Sequence, residues 1–181
     1  KKLKYDVIYV GHPLLDVLKK NVKENSNREK LIALLPGSRD QEISKILPLM
    51  LSVTKFFKNY QFTICAAPSK NKSFYEKFIG NSDYENVNIV EDQTYNVLER
   101  SSAALVTSGT ATLEAALIKT PQIVCYKSSW ISILIGKFLL RNLKFISLVN
   151  LILNKGAVKE LIQYDLNTKN ILDELEVILS K

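Results

Sequence analysis

Apolar residues along this 181-residue chain fall into short runs separated by polar, turn-forming stretches. Leu31-Ile32-Ala33-Leu34-Leu35 is unbroken, the signature of a strand buried on both faces of a sheet. Residues 7–10, 62–66, 87–90, 103–106 and 122–126 predict five further short strands. Helical spacing fills the intervals. Pro13 can open a helix after Gly11-His12, because its missing N–H is not needed there. Ile43, Ile46, Leu47 and Leu51 line one side of a helix that follows Pro36-Gly37-Ser38-Arg39, and residues 73–79 and 95–100 predict two more. Leu113, Ala116 and Leu117 recur at helical spacing after Ser108-Gly109-Thr110, while residues 21–30 read as a polar surface connection. Residues 156–163 and 171–179 predict closing helices, the second amphipathic. Strands alternating with helices at this spacing argue for one α/β domain over residues 1–181, with a mostly parallel sheet flanked by helices.

Ligands of such folds gather at the carboxyl ends of the strands. Gly11-His12, Pro36 to Arg39 and Thr107 to Thr110 all fall at strand ends, so they are expected to line one rim. A turn of small hydroxyl residues that opens a helix leaves several backbone N–H groups without internal partners. Those groups and the positive helix end favour a phosphate or pyrophosphate. Glu114 cannot be a capping-box acid, since Ala111 stands three residues before it. It is free to accept hydrogen bonds from two ribose hydroxyls; the plainer alternative is a well-capped helix with a solvated glutamate. Ser38-x-x-Gln41 does fit a capping box. Arg39 does not belong in that picture, because a cation in the first helical turn opposes the helix dipole. An arginine there makes sense where an anion docks, its guanidinium forking onto phosphate.

Composition narrows the field. Lys and Arg exceed Asp and Glu by 25 to 18, a net charge of +7 that suits nucleic acid, an acidic membrane face or phosphorylated small molecules. The lysines are spread along the chain and no aromatic-rich basic motif occurs, so nucleic acid is not expected as a partner. Cys65 and Cys125 lie far apart in apolar runs, as buried thiols of a reducing compartment would. The N-terminal residues lack the apolar run of a signal peptide and begin abruptly, as though a longer chain had been cut before a strand. The scattered glycines form neither G-x-G-x-x-G nor G-x-x-x-x-G-K-[ST], which argues against a standard dehydrogenase or a P-loop ATPase. No H-E-x-x-H and no ligand-spaced cluster of His, Asp and Cys occurs, so no metal or other cofactor is expected. His12 is the single histidine, read either as a turn residue satisfied by backbone or as a donor at the ligand rim. A nucleophilic triad would pair it with Ser108 or Ser38, and neither serine has the G-x-S-x-G elbow.

Residues 130–153 are very apolar but interrupted by Lys137, Arg141 and Lys144. A membrane span needs about 20 mostly uncharged residues, so this is not one. A helix would gather the three cations on one face, giving either a basic amphipathic helix for an acidic membrane or a core helix with a basic outer face.

Taken together, Tyr9-Val10-Gly11-His12-Pro13-Leu14-Leu15-Asp16, Leu34-Leu35-Pro36-Gly37-Ser38-Arg39 with Glu42-Ile43, and Ser108-Gly109-Thr110-Ala111-Thr112-Leu113-Glu114 resemble the lipid-A-disaccharide synthases. Pro121, Val124 and Tyr126-Lys127, then Ser147-Leu148-Val149-Asn150-Leu151-Ile152 and Lys159-Glu160-Leu161-Ile162-Gln163, continue the resemblance in the same order and spacing. These enzymes are two-domain GT-B type glycosyltransferases of lipopolysaccharide synthesis. The resemblance implies a Rossmann-like domain and transfer of 2,3-diacylglucosamine from its UDP-linked donor to 2,3-diacylglucosamine 1-phosphate, releasing UDP, without a metal. It places the reaction at the cytoplasmic face of the inner membrane of Gram-negative bacteria, as a peripheral protein. It implies that Ser108, Gly109 and Thr110 hold the UDP phosphates, that Glu114 binds ribose, and that Gly37, Ser38 and Ala111 join the donor site. Arg39 and Asn150 are implied as its catalytic polar groups, with Gln163 nearby. The family's amino-terminal half, with the lipid acceptor site and the acidic catalytic base, has no counterpart in these residues, so the chain corresponds to the donor-binding half and needs that partner. A UDP-sugar 2-epimerase or another GT-B enzyme would share the rim, and a non-catalytic sugar-nucleotide-binding or membrane-docking module is the reading from outside enzymes.

Overall fold

The computed structural model describes Gly11, Leu14, Asp16 and residues 28–80, 84–127 and 144–180. The strand expected at residues 7–10, His12, Pro13, Lys137 and Arg141 lie outside the described residues. The elements run β1 (Glu29–Leu35), α1 (Asp40–Leu51), β2 (Gln61–Cys65), α2 (Lys72–Ile79), β3 (Val87–Val90), α3 (Thr94–Arg100), β4 (Ser101–Thr107), α4 (Thr110–Leu117), β5 (Gln122–Tyr126), α5 (Leu148–Leu153), β6 (Lys159–Ile162) and α6 (Thr168–Leu179). The strands form one sheet in the order β3-β2-β1-β4-β5-β6. Every pairing is parallel.

Alternation along the central strands sorts the core into two layers. Ile32 and Leu34 of β1, Phe62 and Ile64 of β2, and Ala103 and Leu105 of β4 pack with α1, Tyr75 of α2, and Ile171 and Leu175 of α6. Ala33 and Leu35, with Ala104 and Val106, point to the other side against Val97 and Leu98 of α3 and Ala115 of α4. Helices on both faces explain why β1 and β4 read as continuous apolar runs: a parallel sheet so covered has no wet face. Arg28 fixes the base of the second layer. Its Nη1 donates to the Ser101 carbonyl at 2.6 Å and the Leu98 carbonyl at 3.4 Å, and its Nη2 to those of Lys119 at 2.8 Å and Ile118 at 3.5 Å. One guanidinium thereby satisfies carbonyls at the ends of both α3 and α4.

Three expectations need correction. Residues 156–163 do not form a helix. Lys159–Ile162 is strand β6, with Cys125 opposite Leu161 and Tyr126 opposite Ile162. Asn154 ends α5 in the left-handed conformation (φ 48°), and the Asn150 Oδ1 takes the amides of Ala157 (2.8 Å) and Val158 (2.9 Å), so the chain leaves the helix extended. The proposed capping box is also absent. Arg39 itself is the N-cap of α1, extended at φ −96°, ψ 135°, with no side-chain cap bond, so Ser38 stands one residue too early to cap. Finally, the single helix considered for residues 130–153 does not carry Lys144 into α5: residues 144–147 are non-helical, and Ser147 caps a new helix by accepting from the Asn150 amide.

Candidate nucleotide-binding site

The strand order reverses direction between β1 and β4, and parallel sheets open a crevice beyond the carboxyl ends of the strands at such a point. A cleft of about 370 Å³ lies there, lined by Leu35 to Arg39 after β1, by Thr107 to Ala111 after β4, and by Cys65 to Pro68 after β2, with Glu42, Thr94 and Glu114. Pro36 itself is not part of the lining. Two of the predicted rim segments therefore meet, joined by a third from β2.

The chemistry of the cleft is that of an anion seat. Thr112 is the first residue of α4 whose amide finds a backbone acceptor, the Gly109 carbonyl at 3.2 Å, so among the described residues the amides before it, at the cleft-lining helix start, are unspent. A Cβ built on Gly109 would meet nothing within 4 Å. The glycine is thus not demanded by packing, and it leaves the helix start approachable. Thr107, which also lines the cleft, is 4% exposed, and its Oγ1 is buried with no hydrogen-bond partner among the described residues. Arg39, exposed at the start of α1, has no hydrogen-bond or ion-pair partner among the described residues. Gly37 turns the chain with φ +99°, which a residue bearing a Cβ rarely adopts.

Glu114 lies one turn into α4 and accepts a hydrogen bond from the Tyr95 hydroxyl at 3.2 Å. Burial, then the nearby Glu114 charge, raises the Tyr95 pKa, so the phenol keeps its proton and stays a donor. The carboxylate retains acceptor capacity for ligand hydroxyls. The Ser108 hydroxyl donates to the Ile146 carbonyl at 2.9 Å, so the side chain's proton is engaged within the protein.

Asn150 and Gln163 are not brought to this cleft. Asn150 is 1% exposed, and its amide is fully committed to Val158, Glu160 and Ala157. Gln163 sits just after β6 at φ 56°, its backbone N–H bonded to the Tyr126 carbonyl at 2.8 Å. Sequence reasoning placed Thr107 on the rim but missed Ala66, Pro68, Thr94 and Tyr95. Ala66 ends a predicted strand and Pro68 follows it by two residues, so the strand-end rule could have placed both on the rim. The Tyr95–Glu114 bond spans 19 residues and left no local signal. The two thiols behave as buried structural groups, each pushed up to about 12 by burial.

A doubly wound parallel sheet flanked by helices on both faces is a Rossmann-like domain of the GT-B kind. Solved structures with the same fold include an S. aureus MnaA–UDP co-structure, with TM-score 0.61, 17% identity, and 98% of this chain and 46% of that one covered. They also include E. coli ADP-heptose lps heptosyltransferase II, with TM-score 0.57, 13% identity and coverage of 96% and 53%. The sequence narrows the class: the model of the lipid-A-disaccharide synthetase family matches residues 1–181, and the chain belongs to that family. The lipid-A-disaccharide synthase of Syntrophus aciditrophicus is 37% identical over 97% of this chain and 49% of the relative. That of Francisella tularensis subsp. novicida is 36% identical over 96% and 49%. The chain spans about half the length of the curated relatives it matches.

Proposed function

We propose that this chain is the sugar-nucleotide-binding half of a lipid-A-disaccharide synthase and that the switch-point cleft receives UDP-2,3-diacylglucosamine. The observation that carries the reading is that the amides at the start of α4 and the Arg39 side chain, neither with a partner among the described residues, meet at one cleft. In this reading the diphosphate sits on the amides from Gly109 to Ala111, Arg39 forks onto it, and Glu114 accepts from the ribose hydroxyls. A hydroxyl of the acceptor, 2,3-diacylglucosamine 1-phosphate, attacks the anomeric carbon and loses its proton to a base on the amino-terminal half. The bond from that carbon to the diphosphate oxygen breaks, and UDP leaves with the electron pair. Charge that builds on the departing diphosphate is met by fixed N–H dipoles and a guanidinium, which need no reorganisation at that moment. The acyl chains of both substrates require work at a lipid surface, and we place the protein peripherally at the cytoplasmic face of the inner membrane. The net charge of +7 suits an anionic leaflet, and no described helix is long and apolar enough to cross a membrane.

Calorimetric titration of the 181-residue chain with UDP tests the reading. Measurable binding is expected, weakened roughly tenfold or more in Arg39→Ala, the scale of hydrogen bonds to a charged group. No disaccharide should form when both lipid substrates are supplied to this chain alone. UDP binding that ignores Arg39, or no binding at all, would sink the assignment of the cleft.

A further inference from the structure

Strand β6 holds a second polar cluster, outside the lining of the cleft. Four donors converge on the Glu160 carboxylate: the Ile146 amide reaches Oε2 at 3.0 Å, while the Ser147 amide (3.0 Å), the Ser147 hydroxyl (2.7 Å) and the Asn150 Nδ2 (2.8 Å) reach Oε1. The Ser147 hydroxyl, its proton directed to Glu160, accepts from the Asn150 backbone N–H at 3.3 Å. Asn150 has both donors and both acceptor positions in use. One bond leads from this cluster to the cleft. The carbonyl of Ile146, whose amide Glu160 holds, accepts the hydroxyl proton of Ser108 at 2.9 Å.

We propose that Glu160 is a positioning residue for the nucleotide cleft: through the Ile146–Ser147 peptide it holds Ser108, and with Ser108 the unspent amides at the start of α4, in the arrangement that receives a diphosphate. The proposal rests on the nucleotide reading of the cleft. Ser108 has one proton, and it is committed to Ile146, so the side chain acts as an anchor for the loop and not as a ligand for phosphate. A carboxylate suits the far end of this chain because it only accepts, and all its neighbours here donate. A glutamine of the same shape would turn an NH2 toward at least one of those donors. Amides fixed before the ligand arrives bind it without an ordering cost, so loosening the anchor weakens binding although no group touching the ligand has changed.

The test uses the 181-residue chain with UDP as probe, reading affinity by calorimetry and loop order by amide hydrogen exchange. Glu160→Gln should weaken UDP about tenfold, the cost of a damaged charged hydrogen-bond set, and speed exchange at residues 108–111 as well as 146–150. Placed in a Ser108→Ala background, Glu160→Gln should cause no further loss of affinity, because the link it acts through is already cut. Ser147→Ala, which removes one donor and keeps the backbone bonds, should move the same readouts less and serves if Glu160→Gln does not fold. The proposal is overturned if either variant loosens residues 146–150 while exchange at 108–111 and UDP affinity stay unchanged. It is also overturned if the Glu160 and Ser108 losses add in full. An unaltered chain that fails to bind UDP overturns the nucleotide reading and this proposal with it, a result distinct from the other two.

Discussion

Gly37→Ala separates backbone strain from crowding in the cleft. The residue has φ +99°, and an added Cβ would lie 2.7 Å from the Glu42 Oε2 and 3.4 Å from the Thr107 Cγ2. Holding a residue with a Cβ at such a φ costs about 1–3 kcal/mol. Restricting the unfolded chain by replacing glycine returns about 0.4–1 kcal/mol. The clash adds little, because the atom struck is the free end of the Glu42 side chain, which can swing away, and 3.4 Å to a methyl is only a tight contact. The net expectation is a loss of about 1–2 kcal/mol, read as a fall in Tm of about 2–8 °C for a domain of this size. Urea unfolding gives the free energy directly. Combining Gly37→Ala with Glu42→Ala should recover little, since φ and not the carboxylate carries the cost. Full recovery in the double variant would show that crowding dominates, and a Gly37→Ala chain as stable as the original would refute the strain argument.

Arg28→Ala should cost about 2 kcal/mol and lower Tm by about 4–8 °C, because carbonyls at the ends of α3 and α4 lose a charged donor; an unchanged melting curve would deny the clamp its role. Cys65 and Cys125 should resist a thiol reagent at pH 8 in the folded chain and react fully in denaturant. Their folded pKa values stand near 12 against 9.0 for an ordinary thiol, so the fold holds protons that the unfolded chain releases. That contribution to stability is intact below about pH 9 and is lost as pH rises toward 12. Urea midpoints that stay flat over that range would contradict it.

Most of the rim was legible in the sequence because the physics that marks it is local. An apolar run that ends in Pro36-Gly37-Ser38-Arg39, and another that ends in Ser108-Gly109-Thr110, each announce a strand end and a helix start, with an arginine where the dipole disfavours one. Asn150 shows the limit of that reading. Its place among the family's residues suggested a group at the donor, yet the structure uses it to bind the turn into β6. Glu160 lay within a segment read as helix, so its meeting with Ser147 could not be seen.

By itself, then, the sequence determined the alternation of strands and helices, the anion-ready start of α4 and the family. Residue spacing and turn chemistry act over a few positions and are written in the order of the residues. Tertiary structure alone decided that residues 159–162 pair with β5 instead of coiling, that the reversal of strand order brings the β1 and β4 ends together, and that Glu160 reaches Ser108 through Ile146. Those outcomes depend on contacts between residues distant in the chain, where sheet pairing and the need to satisfy buried polar groups override local propensity.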